Sequence, residues 1–377
     1  MAHGGHVIFY HFFYFCQAFF YYFLLLWYNQ NMFKNNLKIA TFIITLILIA
    51  CSSNENSTLN HPPKKAETNE NKTSNDNLVI DKDYGKEEKD IVIFSTNDTL
   101  SSFNENLGVA AVKYYFDHFD RSENYATLVD IGNFSAGTKE AENSNGKVAI
   151  EIMNEVGYDI VVPGSLEFNY GIETFYENMK MLKSNIVCCN IYDTKKKAFP
   201  FLPYVIYKYG ELKVAFVGVT SPEALLLKDN YEKFFDENNE QLIYFFEDET
   251  GDALYKQVQT AVDTAKAEGA DKVILLSHLG IEGITERWST IRVIANTKDI
   301  DAVIDGHSME VLDNGLMVNK VGAFIPLVQA GSRYKYLGAM NITNEDYIYP
   351  AVMRDRSLNN KDDKFQTRVD EILSKYK

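Results

Sequence analysis

Two imidazoles and one carboxylate stand where short apolar runs give way to polar, glycine-bearing turns. His278 lies in Ser277-His278-Leu279-Gly280 at the end of the run 272–277, and His307 lies in Asp305-Gly306-His307-Ser308-Met309 after 301–304. Asp98 lies in Asn97-Asp98-Thr99-Leu100 after 91–94. Two further polar, glycine-bearing loops, Gly132-Asn133-Phe134 and the stretch 164–171, follow two other runs. Side chains of these types are ligands for a divalent cation. Two neutral imidazoles hold Zn²⁺ weakly and Mg²⁺ or Mn²⁺ scarcely at all, and the soft Met309 thioether adds little for a hard cation. Each residue also has a plainer reading. Asp98 caps a turn, the histidines are core residues satisfied by backbone carbonyls, and the glycines serve tight turns. Ser277 or Ser308 beside a histidine would suit nucleophilic catalysis, but nothing in their spacing indicates nucleophile geometry. Gly-rich phosphate loops and dinucleotide fingerprints are absent.

These loops sit at the ends of β-rich runs that alternate with helical periods. Strand patterns at 91–94, 127–130, 159–162 and 186–189 alternate with helical patterns at 107–119, 148–156 and 175–182. Residues 204–209 and 213–219 flank Gly210-Glu211 as a hairpin would. After a polar, acidic insert at 228–251 come a helix at 253–267, a strand at 272–277, a helix at 287–296, and strands at 301–304, 323–329 and 336–342. A final helix is predicted over 363–376. Strands bounded by helices in this way predict an α/β layered domain. In such folds the loops beyond the C-terminal strand ends carry the ligands.

The length of 377 residues allows one large domain or two ordinary ones. A formal charge of −15 repels polyphosphate backbones, which argues against a nucleic-acid partner. The cysteines, Cys16, Cys51, Cys188 and Cys189, have neither disulfide-framework nor zinc-ribbon spacing. Residues 32–51 have the layout of an export signal: Lys34 and Lys38 precede the apolar run 39–49. Leu48-Ile49-Ala50-Cys51 then resembles a bacterial lipobox, which predicts a lipid on Cys51 and attachment to the membrane at the cell envelope, periplasmic or surface-exposed. Residues 52–88 are too polar to bury a core and predict a disordered tether. Residues 1–31 hold an apolar stretch at 7–27, either a mis-assigned start upstream of Met32 or an extra membrane segment.

Several motifs occur together in order: Thr96-Asn97-Asp98-Thr99, Gly164-x-x-Glu167-Phe168-x-Tyr170-Gly171, Cys189-Asn190-Ile191, Val217-Gly218-Val219-Thr220, Ser277-His278-Leu279-Gly280, Asp305-Gly306-His307-Ser308, and Val328-Gln329-Ala330-Gly331 with Leu337-Gly338. Through them residues 91–343 resemble the metallophosphoesterase (calcineurin-like phosphoesterase) domain of the 5'-nucleotidase family. The resemblance implies a four-layer α-β-β-α sandwich over 89–345, followed by an extension at 346–377 with a packing helix. The separate C-terminal domain that grips the nucleoside in larger members is not expected.

The resemblance also implies two divalent cations, held by an Asp-x-His pair, a bridging Asp, an Asn-His pair, a lone His and a Gly-His-x-His clasp. Asp98 matches the first position, and its partner histidine is Leu100. Asn133 falls at the bridging aspartate and Ser165 at the metal-binding asparagine. Leu166 replaces the histidine that assists phosphoryl transfer, and Asn169 the aspartate that orients it. His278 and His307 remain, but Met309 takes the clasp's second place. Asp98, Asn133, His278 and His307 are thus the residual metal-site residues, fit at most for one weakly held zinc or manganese. Two readings follow. One is a catalytically degenerate binding or interaction module, with a nucleotide-like small molecule as a candidate ligand. The other is a divergent metal-dependent phosphohydrolase acting on nucleotide phosphate esters.

Overall fold

A computed structural model describes residues 80–227, 231–354 and 360–377. The segment 1–31, the export signal with Cys51 and all of the tether before residue 80 lie outside the described residues.

Strict alternation along the parallel strands divides the chain's apolar residues between two faces. In Asp90–Thr96, Ile91 and Ile93 point into one core, and Val92 and Phe94 into another. The first core lies between two sheets and takes Val129 and Ile131 from one, Phe216, Ile274, Leu276 and Ile304 from the other. The outer face of each sheet is covered by helices. Gly108–Asp117, Lys147–Val156, Ile172–Met181 and Asp363–Ser374 cover one, with Val109, Ile152, Phe175 and Val369 buried there. Asp252–Ala267 and Thr290–Asn296 cover the other. In the longer of these helices Leu254, Val258, Ala261, Val262 and Ala265 form one buried stripe at helical spacing. The result is a mixed α/β fold in four layers, α-β-β-α.

The six-stranded sheet runs Ile348–Met353, Leu337–Ile342, Asp90–Thr96, Asn124–Asp130, Ile160–Val161, Asn185–Ile186, parallel from the third strand on. The seven-stranded sheet runs Lys82–Asp83, Tyr204–Tyr209, Leu212–Thr220, Lys272–His278, Ala302–Asp305, Phe324–Ala330, Val311–Val318. Its middle strands, from Leu212–Thr220 to Phe324–Ala330, are parallel, so their following loops meet at one end. The hairpin around Gly210 is present. Among the described residues no helix is long and apolar enough to cross a membrane.

Two boundaries differ from the sequence reading. Composition predicts tether up to residue 88, yet Lys82–Asp83 pair in parallel with Tyr204–Tyr209. Tyr84 then stacks on Tyr209 at 4.7 Å and shares a 2.8 Å hydrogen bond with Thr127. A few anchoring side chains suffice to dock a segment whose average composition is polar. Tyr84→Ala is therefore expected to lower unfolding free energy in a urea titration by about 2 kcal/mol, from lost aromatic packing and burial. A loss below about 0.5 kcal/mol, the surface-substitution range, would return this segment to a passive tether.

The sheet also does not end near 345, because Ile348–Met353 pairs antiparallel with Leu337–Ile342. Finally, the acidic insert is docked: Phe234, Ile243 and Phe245 are fully buried, and Ile243–Tyr244 pairs with Tyr192–Asp193. The strand Val311–Val318 escapes period-2 reading because Asp313-Asn314-Gly315 interrupts it at a register shift.

Candidate active site

Loops from both sheets meet over the C-terminal strand ends, and their side chains are bonded to one another. The 97–100 and 132–134 loops are zipped by Asp98 N donating to Gly132 O (3.0 Å) and Leu100 N to Asn133 O (2.9 Å). Asp98 and Asn133 hold left-handed backbone, φ 49° and 61°, as do Leu100, His307 and Met309 at 52°, 72° and 58°. Such conformations cost of order 1–3 kcal/mol each and persist where surrounding contacts over-determine them. Gly132 and Gly164 are needed for close approach, since a Cβ on either would lie 2.8 or 2.7 Å from the His278 ring.

Glu167 holds this arrangement rigid. Its carboxylate is fully buried and accepts from the backbone N–H of Gly164, Asn133, Phe134 and Ser135 and from the Ser135 hydroxyl. Burial pushes its pKa up, and those hydrogen bonds offset only part of the rise.

Asp98 is buried between the sheets. One oxygen accepts from Asn133 Nδ2 (2.8 Å), the other from Asn97 Nδ2 (2.9 Å) and from the backbone N–H of His307 (2.8 Å). Burial raises its pKa to about 6 against the pull of these donors. Asn133 turns its oxygen to Leu166 N (2.8 Å), so both ends of the amide are used internally.

His278 is buried, with Nδ1 on the carbonyl of Ile131 across the sheet interface. Burial, then the neighbouring His307, hold it well below the usual histidine range, so it is neutral. His307 Nε2 lies 2.8 Å from Glu223 Oε2, while its Nδ1 faces His278 Nε2 at 3.3 Å.

Glu223 is the residue that the motifs miss. It sits on the 3₁₀ turn Pro222–Leu226, capped by Ser221, whose hydroxyl accepts from Glu223 N at 3.1 Å. Its other oxygen accepts from Thr285 N. Burial alone would raise its pKa, but the bonds from His307 and Thr285 outweigh it and the carboxyl lies below its usual value. The available signal was a carboxylate just after Ser221-Pro222 at a strand end, which also describes ordinary helix caps.

The chain is similar to proteins of known type in sequence and in fold. The chain is 28% identical over 256 residues to the 5'-nucleotidase of Bos taurus, a match covering 62% of this chain and 41% of that protein. The chain thus spans about two-fifths of the length of the curated relatives it matches. Among solved structures, the calcineurin-like phosphoesterase YfkN of Bacillus subtilis superposes with a TM-score of 0.61 at 21% identity, covering 77% of this chain and 98% of that one. A 5'-nucleotidase precursor of Thermus thermophilus gives 0.59 at 19% identity, covering 76% and 58%. No protein-family model matches the chain. This is a 5'-nucleotidase-like metallophosphoesterase domain.

In the 5'-nucleotidase-like domain, Asp98, Asn133, His278 and His307 come together as one network, while Cys51 lies outside the described residues. Leu100 is buried, Leu166 half-buried and Met309 exposed, so three of the positions where the resemblance implies imidazoles carry apolar or thioether groups. Ser165 is buried with its hydroxyl unpartnered among the described residues. Ser277 bonds Thr290 (2.7 Å) and Ser308 donates to Gln329 (3.0 Å), so neither serine is paired with a histidine. The residues present do not fit two divalent cations. Asn133 points N–H donors at the one retained aspartate, His307 is turned to Glu223, and no group of three or more His, Cys, Asp or Glu is placed to hold a metal among the described residues.

Proposed function

We propose that the 5'-nucleotidase-like domain is catalytically degenerate and that the chain is a binding or interaction module of the bacterial cell envelope, held at the membrane through a lipid on Cys51. The observation that carries this reading is the internal saturation of the site. Asp98 is held by Asn133, Asn97 and His307 N, and His307 by Glu223, where catalysis of this type needs open positions on a cation. The purified chain, given Mn²⁺, Zn²⁺, Co²⁺ or Ca²⁺ with nucleoside mono- and diphosphates, is expected to release no phosphate above blank. Metal-dependent release that disappears in His278→Ala would overturn the proposal. A nucleotide-like ligand in the cleft would raise the melting temperature on titration, since ligands that favour the folded state stabilise it. The anchor is tested separately, by whether Cys51→Ala moves the protein from the membrane to the soluble fraction.

One observation favours the divergent metal-dependent phosphohydrolase. His278 Nε2 and His307 Nδ1 are 3.3 Å apart. Two nitrogens at about 2.0–2.1 Å from a tetrahedral Zn²⁺ are separated by about 3.4 Å. Elemental analysis near one zinc per chain would support that second reading, and none would remove it.

A further inference from the structure

We infer that the rim above the Glu223–His307 pair is a docking surface for a protein segment that combines aliphatic and cationic side chains. The inference rests on the binding-module reading and specifies its partner.

Three exposed aliphatic residues lie on the three loops that this pair ties together. Leu226 closes the 3₁₀ turn that carries Glu223 and is 58% exposed. Glu223 accepts from Thr285 N, and Ile284, the residue before Thr285, is 86% exposed. Glu223 also bonds His307, two residues before Met309, which is 42% exposed on a left-handed backbone. The last two loops touch, since a Cβ on Gly280 would lie 3.3 Å from Ser308 Cβ and 3.4 Å from His307 Cδ2. Singly exposed aliphatics are ordinary. Several on loops tied to one another by the same pair are what an interaction site presents.

Charge selects the occupant. Glu282 and Glu310 are exposed and lie within two residues of Ile284 and Met309. Glu286 is paired with Arg292, and Arg287 lies over the Trp288 ring and donates to Asp248 O, while neither Glu282 nor Glu310 is in an ion pair among the described residues. Within the floor, Glu223 and His307 answer one another and leave no cation to attract a phosphate. The whole chain is also acidic, formally −15. Free anions and an anionic bilayer would meet Glu282 and Glu310 first and be repelled. A segment with Lys or Arg flanking apolar side chains satisfies both features at once.

The test uses the intact chain and fluorescein-labelled synthetic peptides of alternating Leu/Lys, Leu/Glu and Ser/Lys, followed by anisotropy. The Leu/Lys peptide is expected to bind at least about tenfold more tightly than the other two, a separation of about 1.4 kcal/mol. Ile284→Asp and Met309→Asp should each weaken it about tenfold, and the double variant Glu282→Lys, Glu310→Lys more. Phe324→Asp is the control. It sits at the tip of the Val311–Val318/Phe324–Ala330 hairpin, where Leu316, Val318 and Val321 make a second exposed apolar patch. Its binding should be unchanged. Equal binding of Ser/Lys would mean bulk charge attraction, and equal binding of Leu/Glu bulk apolar adhesion; either overturns the inference. So does indifference to both Ile284→Asp and the double charge reversal. Phosphate release would overturn the functional proposal instead, so the two failures are distinct.

Discussion

Asn133→Asp is expected to cost the fold about 3 kcal/mol at pH 8 in chelator, as a group deprived of its buried hydrogen bond and placed against a like charge. At that position the amide donates to Asp98 across 2.8 Å. An aspartate there sets a second carboxylate against the first, in a site where burial already raises Asp98 to about 6. Two carboxylates so placed share a proton, and the raised pKa of the pair determines the sign of the pH dependence. A folded-state pKa above the unfolded value favours folding at low pH, and that contribution is lost as pH rises through the folded value. The deficit of Asn133→Asp should therefore shrink toward pH 5 and be greatest at pH 8. Added Zn²⁺ or Mn²⁺ should restore part of the melting temperature of this variant and leave that of the parent chain unmoved, because cations need the negative charge that the amide withholds. Differential scanning fluorimetry with chelator, with each metal and at both pH values decides it. Equal melting temperatures for parent and variant at pH 8 would remove Asn133–Asp98 from the contacts that hold the site closed.

Glu167→Ala is expected to leave little folded protein. Its carboxylate satisfies four backbone N–H groups and one hydroxyl from two loops. Each buried donor left without a partner costs about 1–3 kcal/mol, and the sum is comparable with the whole stability of a domain, about 5–15 kcal/mol. Glu167→Gln is the informative variant because it keeps shape and one acceptor but turns an NH₂ toward N–H donors. It should lower the urea-extrapolated stability by about 3 kcal/mol, in the range of charge-assisted bonds lost in a buried site. A change within about 0.5 kcal/mol, the range of neutral substitutions, would show that the loops are held by their backbone pairing alone.

Local pattern made much of this legible. The parallel strands are short, apolar and β-branched between helical periods, so Asp90–Thr96, Asn124–Asp130, Lys272–His278 and Ala302–Asp305 were readable in order. Strand ends located the five loops. Less legible were elements whose reason for existing lies elsewhere in the chain. Lys82–Asp83 is a strand only because Tyr204–Tyr209 offers an edge beside it. The acidic insert is docked by Phe234 and Phe245, which pack on Phe168 more than sixty residues before. Glu223 was unreadable as a site residue because its partner His307 is 84 positions away and no spacing rule connects them.

The resemblance implied the four-layer order and marked Leu100, Asn133, Ser165, Leu166, Asn169 and Met309 as standing where cation and catalytic groups are implied, whereas the sequence by itself determined an α/β layered domain and the loops at its strand ends. Those are properties of residue type and periodicity, which act over a few positions. Only the tertiary structure decided what the retained residues do instead. A carboxylate, an amide and two imidazoles brought out of water must each find a partner. The partners, Asn97 and Asn133 for Asp98, Ile131 O for His278 and Glu223 for His307, are supplied by the packing of two sheets against each other.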